Sequence, residues 1–166
     1  MADKKASSLS HLDKEGNPSM VDVGSKSVTS RRAWARAIVH LGEEIMQHVD
    51  GEEIYTKKGG VFQTAIIAGT MGAKKTSDLI PLCHPIGLES CKFDIQLKNK
   101  EEVIIDCFAR VASKTGVEME ALTGASVAAL TIYDMCKALS HDIVIKEIKL
   151  MEKTGGKSDF KREASL

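Results

Sequence analysis

Glu118 to Leu139, E-M-E-A-L-T-G-A-S-V-A-A-L-T-I-Y-D-M-C-K-A-L, is the stretch whose reading decides the fold. It lacks proline and is dominated by Ala, Leu, Met and Ile, so it predicts a long helix. Thr115-Gly116-Val117-Glu118 supplies a capping-box pattern at its start. The segment is apolar nearly all round, which predicts burial on most sides.

Working outward, Lys92–Leu97 and Glu102–Ala112 alternate apolar and polar residues, and the second is β-branched. They predict two strands joined at Asn99-Lys100-Glu101 as a hairpin. After the long helix, Ile143–Met151 predicts the last strand. Upstream, Val61, Ala65, Ala68 and Gly72 share a face at helical spacing, which predicts a second helix from Val61 to about Thr76, entered through Gly59-Gly60 and stopped before Pro81. Its small residues would let another element approach closely. Ala33–Val39 alternates and predicts a first strand, although Ala and Arg are also compatible with helix. Glu43–Val49 suits one or two helical turns. The order is strand, helix, strand, strand, helix, strand. It predicts an α+β, ferredoxin-like βαββαβ fold, a four-stranded antiparallel sheet with two main helices on one face. Residues 1–19 read as a flexible arm, 20–158 as a single catalytic domain, in which Met20-Val21-Asp22-Val23 is the first ordered contact, and 159–166 as a flexible tail.

The chain has 166 residues, with 23 Lys plus Arg balanced by 23 Asp plus Glu. Zero net charge gives no global attraction to nucleic acid or to an anionic membrane, so any anion site must be a local cluster of bases. Aromatic residues, at 4%, are too few for a base-stacking platform. No apolar run reaches the ~20 residues of a membrane span. Met1 to Pro18 lacks the apolar core of a secretory signal. Cys83, Cys91, Cys107 and Cys136 form no C-x-x-C pair and predict reduced thiols in a cytoplasmic protein.

Several groups could carry chemistry. On the long helix, Glu120, Thr123, Asp134, Lys137 and His141 fall on one side, and Asp134 and Lys137 are close enough to touch. Spacing alone fits a solvated salt bridge as well as a pocket lining. Glu120 and Asp134 lie 14 residues apart, or ~21 Å along a straight helix. If both serve one ligand, the simplest solution brings ends from two chains together, so a site at a subunit interface is expected. Asp78-Leu79-Ile80-Pro81-Leu82-Cys83-His84-Pro85 brackets a Cys-His pair with prolines that restrict the backbone. His84 is read equally as a ligand-gripping group and as a histidine satisfied by backbone. A zinc site needs more convergent ligands than this. Lys57-Lys58-Gly59-Gly60, ahead of a helix, and Lys153 with Thr154-Gly155-Gly156-Lys157 are candidate anion sites. Gly156-Lys157-Ser158 mimics the end of a Walker A motif, but residue 151 is Met where that motif needs Gly.

Met20–Val23, Lys58-Gly59, D-L-I-P-L-C-H-P at 78–85, G-V-E-M-E-A-L at 116–122, L-T-I-Y-D-M-C-K at 130–137 and Gly155–Ser158 together resemble the molybdenum cofactor biosynthesis protein C family, the cyclic pyranopterin monophosphate synthases. One departure is Asp159, where that family commonly has Gly. The resemblance implies conversion of 3′,8-cyclo-7,8-dihydroguanosine 5′-triphosphate, supplied by a radical-SAM GTP cyclase, to cyclic pyranopterin monophosphate and pyrophosphate. It implies a homo-hexamer, a trimer of dimers, with the site at the dimer interface. It also implies Asp134, Lys137 and Lys58 as catalytic, and Leu82, Cys83, His84, Glu118, Met119, Glu120, Lys153 and Arg31 as substrate-binding. No protein-held metal or cofactor is expected, beyond Mg²⁺ accompanying the triphosphate; nor is a nucleic-acid or membrane partner. The chief alternative is a non-catalytic ferredoxin-like nucleotide-sensing domain. An RNA-binding module is disfavoured by the missing aromatics, and a metal-dependent hydrolase would show itself by chelator sensitivity.

Overall fold

The computed structural model describes residues 15–163. Most of the expected N-terminal arm, residues 1–14, and the last three residues lie outside that range. The elements, in chain order, are β1 (Thr29–His40), α1 (Gly42–Met46), β2 (Val49–Asp50), β3 (Glu53–Thr56), β4 (Gly59–Gly60), α2 (Val61–Lys74), α3 (Thr76–Leu79), β5 (Ser90–Leu97), β6 (Glu102–Ser113), α4 (Glu118–Cys136), β7 (Val144–Thr154) and β8 (Phe160–Lys161). The fold is α+β, built on an antiparallel sheet of order β5-β6-β1-β7-β8.

Ala33–Val39 is strand throughout, as part of β1, and pairs with β6 on one side and β7 on the other. The helix alternative fails because alternate residues face opposite ways. Ala33, Ala35, Ala37 and Val39 join one core with Ala121, Ala125, Ala128, Ala129 and Ile132 of α4. Small side chains on both surfaces let α4 lie close against the sheet. Truncating the fully buried Ile132 to Ala would cost about 2–5 kcal/mol. Helix α2 packs on α4 rather than deep on the sheet. A Cβ added at Gly72 would sit 2.6 Å from Val127, and one at Gly69 would sit 2.6 Å from Phe93. This is the close approach that the small residues of α2 suggested.

The β5–β6 hairpin turns where expected. Asn99 Oδ1 accepts the amides of Glu101 and Glu102 at 2.8 and 2.9 Å, an Asx turn that fixes the register.

Four details differ from the sequence reading. The sheet has a fifth strand, because Phe160–Lys161, in the expected loose tail, pairs with Glu152 and Lys153. A small second sheet, β2-β3-β4, leads into α2. The capping box is not formed: Val117 is the N-cap residue, no side chain caps α4, and Glu118 turns to Lys153 instead. Helix α4 ends at Cys136, so His141 lies beyond it and not on its polar side.

Candidate functional site

Site residues gather at the two ends of α4. At the C-terminal end, Asp134 receives two ammonium groups: Lys137 Nζ reaches Oδ1 at 2.7 Å and Lys58 Nζ reaches Oδ2 at 2.9 Å. Lys137 is one helical turn on, so the spacing dictates its contact. Lys58 arrives from the β3–β4 turn, across 76 positions of sequence. These bonds, first from Lys137 and then from Lys58, hold the Asp134 carboxyl down at about 2. The same pairing raises the Lys137 ammonium. All three side chains are more than half exposed, so the cluster opens to solvent.

A second acid, Glu53, sits behind Lys58 at the start of α2. Glu53, buried in β3, accepts the amides of Ile54 at 2.8 Å, Phe62 at 2.7 Å and Gln63 at 3.1 Å. The free amides of the first turn of α2 are thereby satisfied by a carboxylate from the same chain. The anion site expected at Lys57-Lys58-Gly59-Gly60 is therefore filled, and phosphate has no vacancy there. Nothing in the spacing of Glu53 marked it for this role.

At the N-terminal end of α4 lies a cavity of about 430 Å³. Lys26, Arg31, Arg32, Lys114, Lys153 and Lys157 border it, together with His84, and Glu118 is the one acid among its lining residues. Such a wall suits a polyanion. Lys153 Nζ pairs with Glu118 Oε1 at 3.1 Å. Arg31 Nε donates to Ser113 O at 3.3 Å, which ties the guanidinium to the end of β6. His84 Nε2 lies 2.8 Å from Val21 O. The Gly155-Gly156 turn closes the cavity against β1: Gly155 has φ +82° and a Cβ there would strike Ser30 O, while a Cβ at Gly156 would come within 3.0 Å of Arg31 Nη1. At position 155 only glycine allows this approach without strain. Lys153, Thr154, Gly156 and Lys157, from the stretch expected to bind an anion, line this cavity.

Beside it, Leu82, Cys83 and Met119 line an apolar cavity of about 610 Å³ with Ile80 and Pro81. Glu120 is buried, and that burial, with Glu118 adding repulsion, pushes its carboxyl up to about 7. Burial also raises the Cys83 thiol, and Glu120 adds to the shift. The four cysteines are free thiols, Cys107 and Cys136 buried and the other two partly so.

Within one chain, then, the proposed binding residues collect at one end of α4 and Lys58, Asp134 and Lys137 at the other. Asp134 and Lys58 do not line the cavity that holds His84. Lys26, Arg32 and Lys114 are cavity residues that the sequence did not single out; Lys114 immediately precedes Thr115–Glu118 but reads as an ordinary surface base. Among the described residues, no three His, Cys, Asp or Glu side chains are grouped to hold a metal ion.

A family model described as the MoaC family matches residues 20–156, which cover both ends of α4 and every residue of the two clusters named above except Lys157. The chain belongs to the MoaC family. Over 159 residues it is 49% identical to a cyclic pyranopterin monophosphate synthase of Xanthomonas axonopodis pv. citri, with 96% of each chain covered. It is 54% identical over 155 residues to a molybdenum cofactor biosynthesis bifunctional protein of Synechocystis sp., covering 91% of this chain and 45% of that one. It is 48% identical over 167 residues to molybdenum cofactor biosynthesis protein 1 of Dictyostelium discoideum, covering 90% of this chain and 26% of the relative. This MoaC chain thus spans nearly the whole of some relatives and less than half of others. No helix of the described residues is long and apolar enough to cross a membrane.

Proposed function

We propose that the chain is a cyclic pyranopterin monophosphate synthase. It converts 3′,8-cyclo-7,8-dihydroguanosine 5′-triphosphate, received from a radical-SAM GTP cyclase, to cyclic pyranopterin monophosphate and pyrophosphate in the cytoplasm. Residues 20–158 form its catalytic domain. The arrangement is ferredoxin-like: β1, β5, β6 and β7 lie in the order β5-β6-β1-β7, β8 is an addition at the edge, and α2 and α4 cover one face. The observation that carries the functional reading is the pairing of a cation-rich cavity at one end of α4 with a Lys–Asp–Lys cluster at the other, in a chain 49% identical to an enzyme so named.

The chemistry asks for both parts. Rearranging the purine requires proton transfers and a hydrolytic ring opening. Asp134, Lys137 and Lys58 form one coupled acid–base unit, with a carboxylate that stays ionised and ammonium groups able to donate. Closing the cyclic phosphate is an attack on the α-phosphate with loss of pyrophosphate. Cations aimed at the leaving group lower that barrier. His84, Lys153 and Arg31 supply them, and Glu118 and Glu120 accept hydrogen bonds from the guanine-derived N–H groups. Leu82, Cys83 and Met119 provide the apolar wall for the fused rings. Mg²⁺ arriving with the triphosphate belongs to the substrate, and no protein-held cofactor takes part.

The ~21 Å between Glu120 and Asp134 is a long reach for one triphosphate-bearing purine, and the simplest way for both ends to serve one ligand uses two chains. The site is completed when the Asp134 end of one chain meets the cavity of another, within a dimer of a trimer-of-dimers hexamer. Exposed Ile67, Met71 and Leu130 on the outer surface of α2 and α4, at 63%, 55% and 58%, support such an assembly. The test is to incubate the purified protein with the cyclised GTP and follow pyrophosphate and pterin. Stoichiometric appearance of both supports the synthase. Binding of the nucleotide without its consumption would instead make the chain a sensor.

A further inference from the structure

We infer that Val21–Lys26 is a brace that fixes the His84 imidazole, and that Asp22 and Lys114 are positioning residues acting on His84 through it. The inference rests on the reading of His84 as a substrate-contacting group.

The ring is constrained from both sides. Its backbone immediately precedes Pro85, which disfavours the helical region at residue 84. Its Nε2 lies 2.8 Å from Val21 O. A carbonyl oxygen only accepts, so Nε2 carries the hydrogen and donates. Nδ1 is then the nitrogen left for other partners, an acceptor in the neutral ring and a donor in the protonated one. A hydrogen bond to one ring nitrogen sets what the other can do, as it does for metal-bound histidines.

The Val21 carbonyl is itself held. Asp22 Oδ1 accepts the Gly24 amide at 2.7 Å, and Val23 O accepts the Lys26 amide at 3.1 Å. These two bonds fold the segment into consecutive turns. Lys114, just past the end of β6, then donates its Nζ to Gly24 O at 2.7 Å. The brace is thus closed internally by Asp22 and anchored to the sheet by Lys114, and His84 caps its leading carbonyl. Val21, Val23, Lys26, His84 and Lys114 all border the cation-rich cavity. Asp22 does not. Its side chain is exposed and spends its oxygen on the turn, which separates a positioning effect from loss of cavity charge.

The test uses the full chain with ¹⁵N-labelled histidine, without substrate, His84 being assigned through a His84→Gln variant. The expected result is a ring Nε2–H correlation for His84, kept visible because the bonded hydrogen is slow to exchange with water. Asp22→Ala should abolish that correlation and lower kcat ~10-fold with KM little changed, the scale of a misoriented catalytic group. Lys114→Ala should do the same with KM raised as well, and Lys114→Arg should restore the correlation and most of kcat. A His84 hydrogen found on Nδ1 overturns the inference. So does an Asp22→Ala protein that keeps the Nε2–H signal or keeps its kcat. If Lys114→Ala does not fold, Asp22→Ala decides alone. The spectrum of the free protein is read without turnover, so a chain that never released pyrophosphate would defeat the functional proposal while leaving the brace to be judged by the correlation.

Discussion

Lys58 and Asp134, 76 positions apart, meet at 2.9 Å at the C-terminal end of α4, where Lys137 bonds the other oxygen of the same carboxylate at 2.7 Å. Lys58 is carried there by the β3–β4 turn, whose strands pair Tyr55 with Gly60 and Thr56 with Gly59, while Glu53 caps the start of α2 beside it.

Replacing Asp134 or Lys58 by Ala should lower turnover ~10²-fold or more, the scale of lost acid–base catalysis, with the protein still folded. Steady-state assays and circular dichroism check this. The Asp134 carboxyl lies at about 2 against an ordinary 3.8. A depressed carboxyl contributes stability above its unfolded value and loses it as pH falls through the folded one, here between about 3.8 and 2. Any acid limb of the rate profile above pH 4 therefore belongs to another group.

Glu120 has the opposite sign. Its carboxyl is raised from 4.5 to about 7 by burial, so the folded chain holds a proton that the unfolded chain has released. Stability should fall as pH rises from 4.5 through 7 and level off above. The magnitude is about 3 kcal/mol. Glu120→Gln should match the wild type in urea midpoint near pH 4 and exceed it at pH 8. A wild type no less stable at pH 8 than at pH 5 would contradict the burial of a charge there.

Arg36 and Asp106 form a bidentate pair across β1 and β6, with both bonds at 2.8 Å, and Trp34 Nε1 adds a third donor to Asp106 at 2.7 Å. Each side chain is about nine-tenths buried. Asp106→Ala strands the guanidinium and should cost about 3–5 kcal/mol. Removing both charges with apolar residues of similar volume should cost much less. Denaturant midpoints of the single and double variants distinguish the two.

Glu53→Ala should free the first-turn amides of α2 and cost about 1–3 kcal/mol, with Lys58 losing its placement and turnover falling as well. Glu53→Gln, which keeps an acceptor oxygen, should recover part of both. A stable, fully active Glu53→Ala protein would show that the cap is dispensable.

Periodicity exposed the main strands and both long helices, because Lys92–Leu97 and the second half of β6, from Cys107 to Ala112, alternate in burial and the helices bury a stripe; Ala35–Val39 and Glu102–Cys107 are buried on both faces and showed as strands by composition. It missed β8 and the small sheet before α2. Phe160–Lys161 and Gly59–Gly60 are two-residue pairings made by tertiary contact, too short to carry a period. The Thr115–Glu118 motif failed as a cap because α4 starts at Glu118 with Val117 as its N-cap, so Thr115 stands two residues before the cap position. The Asp134–Lys137 contact was legible from helical spacing. Lys58 came to the site only through the resemblance, since no local signal joins a turn at 58 to a helix end at 134. Arg32 and Lys114 read as surface bases because a cavity wall built from five separated segments leaves no pattern in any one of them.

The proposed two-chain site is tested most directly by mixing the Asp134→Ala and Lys153→Ala proteins, each expected to be impaired alone, under conditions that dissociate and reassemble any oligomer. If each site combines opposite ends of α4 from two chains, half the dimers formed at random are mixed and each of those carries one intact site. Turnover should then return to roughly a quarter of wild type. No recovery in oligomers shown by mass to be mixed would mean that one chain supplies both ends, and would contradict the account.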